Sequence, residues 1–120
     1  MRVLGLVFAG TSTEARETMT AFLERTMGLE RVQVAGVEAD LFRLPDGSHL
    51  AVASPAGMGA TERSIGFLVE DLDEAIGTLS RAGVTTGAVN HNAVERYTHF
   101  RAPDGHLYEL IERITRGQSG

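Results

Sequence analysis

The tripeptide Pro-Asp-Gly occurs twice, at Pro45–Gly47 and Pro103–Gly105, and each time it leads into a strand-like apolar run. Pro presets the first turn position, Asp bonds the backbone beyond it, and Gly takes the left-handed conformation that closes such turns. What precedes the two turns repeats as well. Val3–Phe8 and Ser64–Val69 are short apolar runs that read as strands buried on both faces. Thr11 with Glu14, and Asp71 with Glu74, have the spacing of a helix capping box. Apolar stripes at helical spacing follow: Ala15, Met19, Phe22, Leu23 and Met27 in the first half, then Ala75, Ile76, Leu79 and Ala82 in the second. Gly28 and Gly83 end them. The two turns lie 58 residues apart, the two Glu-Ala pairs at the helix starts 60, and the two helix-ending glycines 55. Strand, cap, helix, stop and turn recurring in one order mark two diverged copies of one α+β unit.

Further strands are expected at Arg31–Val34, Val37–Leu44 and His49–Ala53 of the first copy. In the second copy they are expected at Glu95–Ala102 and His106–Arg113, with one strand at most between Val84 and Val94. Pro55–Arg63 is small and polar and reads as a linker. A chain of 120 residues suits one domain or two small modules sharing a core. Its net charge of −5 argues against nucleic acid as a partner, because phosphate binding needs concentrated Lys and Arg. Without cysteine there is neither a disulfide framework nor thiolate chemistry. No segment approaches membrane-spanning length, and the start lacks a signal-peptide layout, so a cytoplasmic protein with no membrane partner is expected.

The repeated unit, together with the ending Phe100-Arg-Ala-Pro-Asp-Gly-His-Leu-Tyr-Glu-Leu-Ile-Glu112, resembles the vicinal oxygen chelate family. That family includes glyoxalase I, bleomycin-resistance proteins and extradiol dioxygenases. The resemblance covers roughly Arg2 to Arg113. It implies an α+β fold of two tandem βαβββ modules forming a cup-shaped mixed β-sheet with flanking helices. The modules would occupy 1–57 and 58–114, followed by a flexible tail at 115–120. It also implies a homodimer and a small-molecule ligand held in the cup.

In metal-using members, ligands sit on the first and last strands of each module. Carried onto this chain, those positions fall on Gly5, Ala51, Ser64 and Glu109, of which only Glu109 is a ligand type. The expectation is therefore a protein resembling the glyoxalase and bleomycin-resistance members that binds a small organic ligand without the usual metal or any other cofactor. The alternative is a divergent lyase, isomerase or dioxygenase using Glu109 as general base or as metal ligand. A metal, if held, would use Glu109, His49 and His99. A buried carboxyl without a cation must find hydrogen bonds or accept a raised pKa. Glu109 and His99 are accordingly the candidate catalytic pair. Strand parity places Tyr97, His99 and Arg101 on one face, and Leu68 on the face of Ser64. Gly5, Ala51, Ser64, Leu68, Tyr97 and Arg101 are thus the expected ligand-binding residues. His49 and His106 both follow their turns closely, which suggests a module-edge role, and His91 is expected in a solvated loop.

Overall fold

The structure, a computed structural model, describes residues 1–55 and 63–114. Most of the expected linker, the boundary between 57 and 58, and the tail at 115–120 lie outside the described residues. Strand β1 (Val3–Ser12) runs past the expected end at Phe8, because its backbone keeps pairing on both sides as far as Thr11. That pairing removes Thr11 from any capping box. Helix α1 (Arg16–Ala21) has Ala15 at its N-cap with no side-chain cap. Thr13 Oγ1 instead accepts from the Ala15 amide at 3.1 Å. A π-helical turn, Phe22–Thr26, continues α1. The extra residue in that turn rotates later side chains away from a 3.6-residue stripe. Leu23 is buried, whereas Phe22 and Met27 stay exposed.

Short strands β2 (Glu30–Val32), β3 (Asp40–Arg43) and β4 (His49–Ala53) complete the first half. The second half contains β5 (Arg63–Val69), α2 (Leu72–Arg81), β6 (Asn90–His91), β7 (Glu95–Arg101) and β8 (Leu107–Arg113). Here the cap forms as expected: Asp71 Oδ1 accepts from the Glu74 amide at 3.1 Å. His91 lies in β6, paired with Arg96, rather than in a loop. The two Pro-Asp-Gly turns are the same structure. Asp46 accepts from the Ser48 amide and Asp104 from the His106 amide, each at 2.9 Å. Gly47 and Gly105 have φ of 85° and 82°, a region costly for residues with a Cβ.

All eight strands form one mixed sheet in the order β2-β3-β4-β1-β5-β8-β7-β6, curled into a half-barrel. Within each half the first and last strands pair in parallel, β1 with β4 and β5 with β8. The halves meet through the antiparallel pair β1 and β5. Helices cover the convex face in two separate cores. Leu23, Phe42 and Val52 pack under α1, and Val69, Leu72, Ala75 and Leu110 under α2. Glu112 ties α2 down: its carboxylate accepts from the Leu72 amide at 3.0 Å and from Arg96 at 3.2 Å. No helix among the described residues is long and apolar enough to cross a membrane.

Candidate functional site

Strand alternation sends one side chain in two toward the helices and the other into the concave face. In β4, Leu50 and Val52 pack in the core under α1, while His49 and Ala51 face the cup. In β8, Leu110 packs under α2 and Glu109 faces the cup. In β7, Tyr97 and His99 point the same way, and so does Glu95. The cavity they enclose has a volume of about 480 Å³, and Ser64, Phe8 and Gly10 also line it. The structure therefore brings together Ala51, Ser64, Tyr97, His99 and Glu109, drawn from both halves of the chain.

Gly5, Leu68 and Arg101 do not line this cavity. Gly5 pairs with Leu68 and shares its sheet face, but both lie beyond one end of the cup. Distance along the strands excludes Gly5 and Leu68, since the cup-level pairs are Gly10 with Ser64 and Phe8 with Gly66, and a bulge resets the parity between Gly5 and Phe8. Between Leu6 and Phe8 the register against β5 slips, so two steps along β1 match one step along β5. One extra residue reverses which side chains face inward beyond it. Phe8 and Gly10, not Gly5, are thus the inward residues of β1 at cup level. Arg101 has the expected parity but sits past the rim, where it donates to the Gly105 carbonyl at 3.1 Å.

His49 is the other correction. The true counterpart of His106 is Ser48, since both follow the turn glycine directly. His49 matches Leu107, and it points into the cup with Nε2 buried and without a hydrogen-bond partner. Glu95 also went unread, although it has the parity of Tyr97 and His99 and was legible on that ground. Arg16 marks the rim. Its guanidinium grips Asp40 through Nε at 3.0 Å and Nη2 at 3.1 Å, and donates through Nη1 to Ser54 Oγ at 3.2 Å. Arg31 and Thr20 also donate to Asp40, each at 2.7 Å. These contacts, the Arg16 hydrogen bond foremost, hold the Asp40 carboxyl at about 2.

The electrostatics of the cup are dominated by burial. Glu109 is 5% exposed, and its carboxyl is pushed up to about 8, first by loss of solvent and then by the charge of Glu95. Burial pushes the His99 imidazole below its ordinary value, and its Nε2 lies 3.7 Å from Glu109 Oε2. The two shifts agree on one state near neutral pH: a protonated Glu109 beside a neutral His99. Burial also lowers His49 and raises the Tyr97 phenol.

A divalent ion fits this residue set poorly. Phe8 pairs with His49, and Ser64 pairs with Leu107, so Phe8 occupies in β1 the place Ser64 has in β5. The four inner positions are then Phe8, Ala51, Ser64 and Glu109, which offer one carboxylate. Among the described residues no three His, Asp or Glu side chains converge to hold a metal.

Comparison with known proteins agrees with this architecture. No protein-family model and no curated protein sequence matches the chain. Among solved structures, methylmalonyl-CoA epimerase from Mycobacterium tuberculosis superposes with a TM-score of 0.76 at 17% identity, over 95% of this chain and 91% of that one. A glyoxalase/bleomycin resistance protein/dioxygenase superfamily member from Vibrio splendidus 12B01 gives 0.65 at 13% identity, over 94% and 100%. BphC, a halotolerant catechol dioxygenase, gives 0.69 at 21% identity, with 98% of this chain matching 42% of that one. At these identities the likeness concerns the fold, and on it the chain has the vicinal oxygen chelate fold.

Proposed function

We propose that the cup binds a small organic ligand without the divalent ion usual to the fold. One observation carries this reading. The side chains of His49, Ser64, Tyr97, His99 and Glu109 line a single cavity, and within it His49 Nε2 is buried without a hydrogen-bond partner. Polar groups so enclosed ordinarily find partners. Here the partner is supplied by the ligand: the Glu109 carboxyl meets its amine, hydroxyl or carbonyl, and the Tyr97 ring lies against its flat face. Thermal unfolding across a panel of aromatic antibiotics and small metabolites tests this, since a specific ligand raises the midpoint by mass action. A panel member that stabilises the wild-type chain and not Glu109→Gln supports the reading. Equal stabilisation of both would refute the role given to Glu109.

A second reading is favoured by the 3.7 Å approach of His99 to Glu109. Burial drives the carboxyl up and the imidazole down, so near neutral pH the proton rests on Glu109 and the neutral imidazole beside it is free to accept one. Such a pair is suited to moving a proton to or from a bound ligand, which makes an acid–base enzyme the alternative. Incorporation of solvent deuterium into a bound ligand, lost in Glu109→Gln, separates enzyme from binder. The cytoplasmic homodimer belongs to the same proposal. The exposed apolar side chains Leu6 and Ile65, on the two central strands, support pairing of two copies.

A further inference from the structure

Four strand ends meet at one rim of the sheet, where Thr11 borders both the cup and an outer cleft. Thr11 of β1 pairs with Arg63, which opens β5. His106 directly precedes β8, and Arg101 closes β7 opposite Leu107. Adjacent strands lie about 5 Å apart, so this row sets two arginines and a histidine along one edge. They face an outer cleft of about 990 Å³, whose opposite wall is α1 and its π-helical turn.

Three features give the cleft its chemistry. First, no Asp or Glu among the described residues lines it, although the chain as a whole carries a net charge of −5. The neighbouring Asp104 does not line it; Asp104 accepts from the Tyr108 hydroxyl at 2.7 Å and the His106 amide at 2.9 Å, and its charge also acts on the His106 imidazole. Second, Thr11, Thr13 and Thr18 line the same space. Third, Met19 and Phe22 form an apolar wall, and Phe22 is 47% exposed where the amphipathic stripe would have buried it. Arg101 is already engaged with the Gly105 carbonyl and adds positive field. The side chains of Arg63 and His106 make no hydrogen bond or ion pair among the described residues, so their donors remain available to a ligand.

We propose that this outer cleft is a second binding site, separate from the cup, for a small amphipathic anion. A carboxylate or phosphate group meets Arg63 and His106 through charge-assisted hydrogen bonds, and its apolar body lies along Met19 and Phe22. The site needs both parts: the cations alone would favour inorganic anions, and the apolar wall alone would favour neutral compounds.

Titration calorimetry of the full chain, with amide shifts locating the ligand, tests the assignment. The probes are octanoate, octyl phosphate, octanol and inorganic phosphate. Saturable binding of octanoate or octyl phosphate is expected, tighter than either octanol or inorganic phosphate and weakened by added salt. Which of the two binds better identifies the head group. Arg63→Gln and His106→Gln should each weaken it about tenfold, the scale of one lost charge-assisted contact. Glu109→Gln, which alters the cup, should leave it intact. The assignment is overturned if neither anion saturates, if octanol binds as tightly, or if both variants bind like the wild type. Loss of binding in Glu109→Gln would likewise overturn it, because the probe would then occupy the cup. Each of these results is independent of whether the cup binds its own ligand.

Discussion

Replacing Glu109 by Gln keeps the side chain's size and removes its ionisation, so it isolates what the buried carboxyl does to stability. In the folded chain that carboxyl titrates at about 8, against an ordinary value of 4.5. A group whose folded value is raised binds its proton more tightly when folded. Its contribution is fully present below pH 4.5 and is lost as pH rises toward 8. The interval between those values corresponds to about 5 kcal/mol, at about 1.4 kcal/mol per pH unit. The 5% exposure of Glu109 leaves little solvent to screen it. His99 sits 3.7 Å away and can take the proton, which would trim the loss. The other titratable groups of the cup, His49, Glu95, Tyr97 and His99, are all retained in the variant, so apart from the proton that His99 can take from Glu109 their own titrations cancel to first order in the difference. Urea unfolding of both proteins at several pH values between 4.5 and 8.5 measures it. The variant should gain on the wild type steadily across that range, by about 3–5 kcal/mol in total. A difference that does not change with pH would mean that Glu109 ionises freely in the fold, and the account of the cup would fail with it.

Gly66→Ala should destabilise the chain by about 1–3 kcal/mol in urea unfolding, the usual range for overpacking. A Cβ there would lie 2.6 Å from Ile111 Cδ1 and 2.8 Å from Phe8 Cβ, between two side chains with little room to move. Asp40→Asn removes a carboxylate that accepts from Arg16, Arg31 and Thr20, and should cost about 1–3 kcal/mol at neutral pH. Because the Asp40 value is lowered to about 2, its contribution is present above pH 3.8 and disappears as pH falls through 2, so the penalty should shrink in acid. Asp71→Ala should cost about 1 kcal/mol by loss of the α2 cap, read as a lower thermal midpoint. Elemental analysis of the purified protein should find divalent metal well below one equivalent, and a chelator should leave the melting curve in place. A full equivalent removed with loss of stability would contradict the reading of the inner positions.

Several parts of this fold were written locally. The Pro-Asp-Gly turns, the Asp71 cap and the glycine after each helix act over three or four residues, so short-range chemistry suffices to specify them. The repeat then supplied the order of elements, and the spacing of the turns matched Ala51 with Glu109 before any strand was paired. Inward parity within β7 and β8 was equally legible, which is how Tyr97, His99 and Glu109 were found. Beyond this, tertiary pairing decided. Thr11 has a capping residue's spacing, yet β4 and β5 on either side hold it in the sheet. The bulge between Leu6 and Phe8 arises from pairing with β5, more than 50 residues away in the chain, and it turns Phe8 and Gly10 inward where an unbroken strand continuing from Gly5 would present Val7 and Ala9. His49 reads as a turn-edge residue by position and becomes a buried cup residue only because the sheet curls. The outer cleft exists only where four strand ends converge. Local sequence determines which way a short segment turns or caps itself. Which side chains share a cavity depends on strand register and curvature, and those are settled by partners distant in sequence.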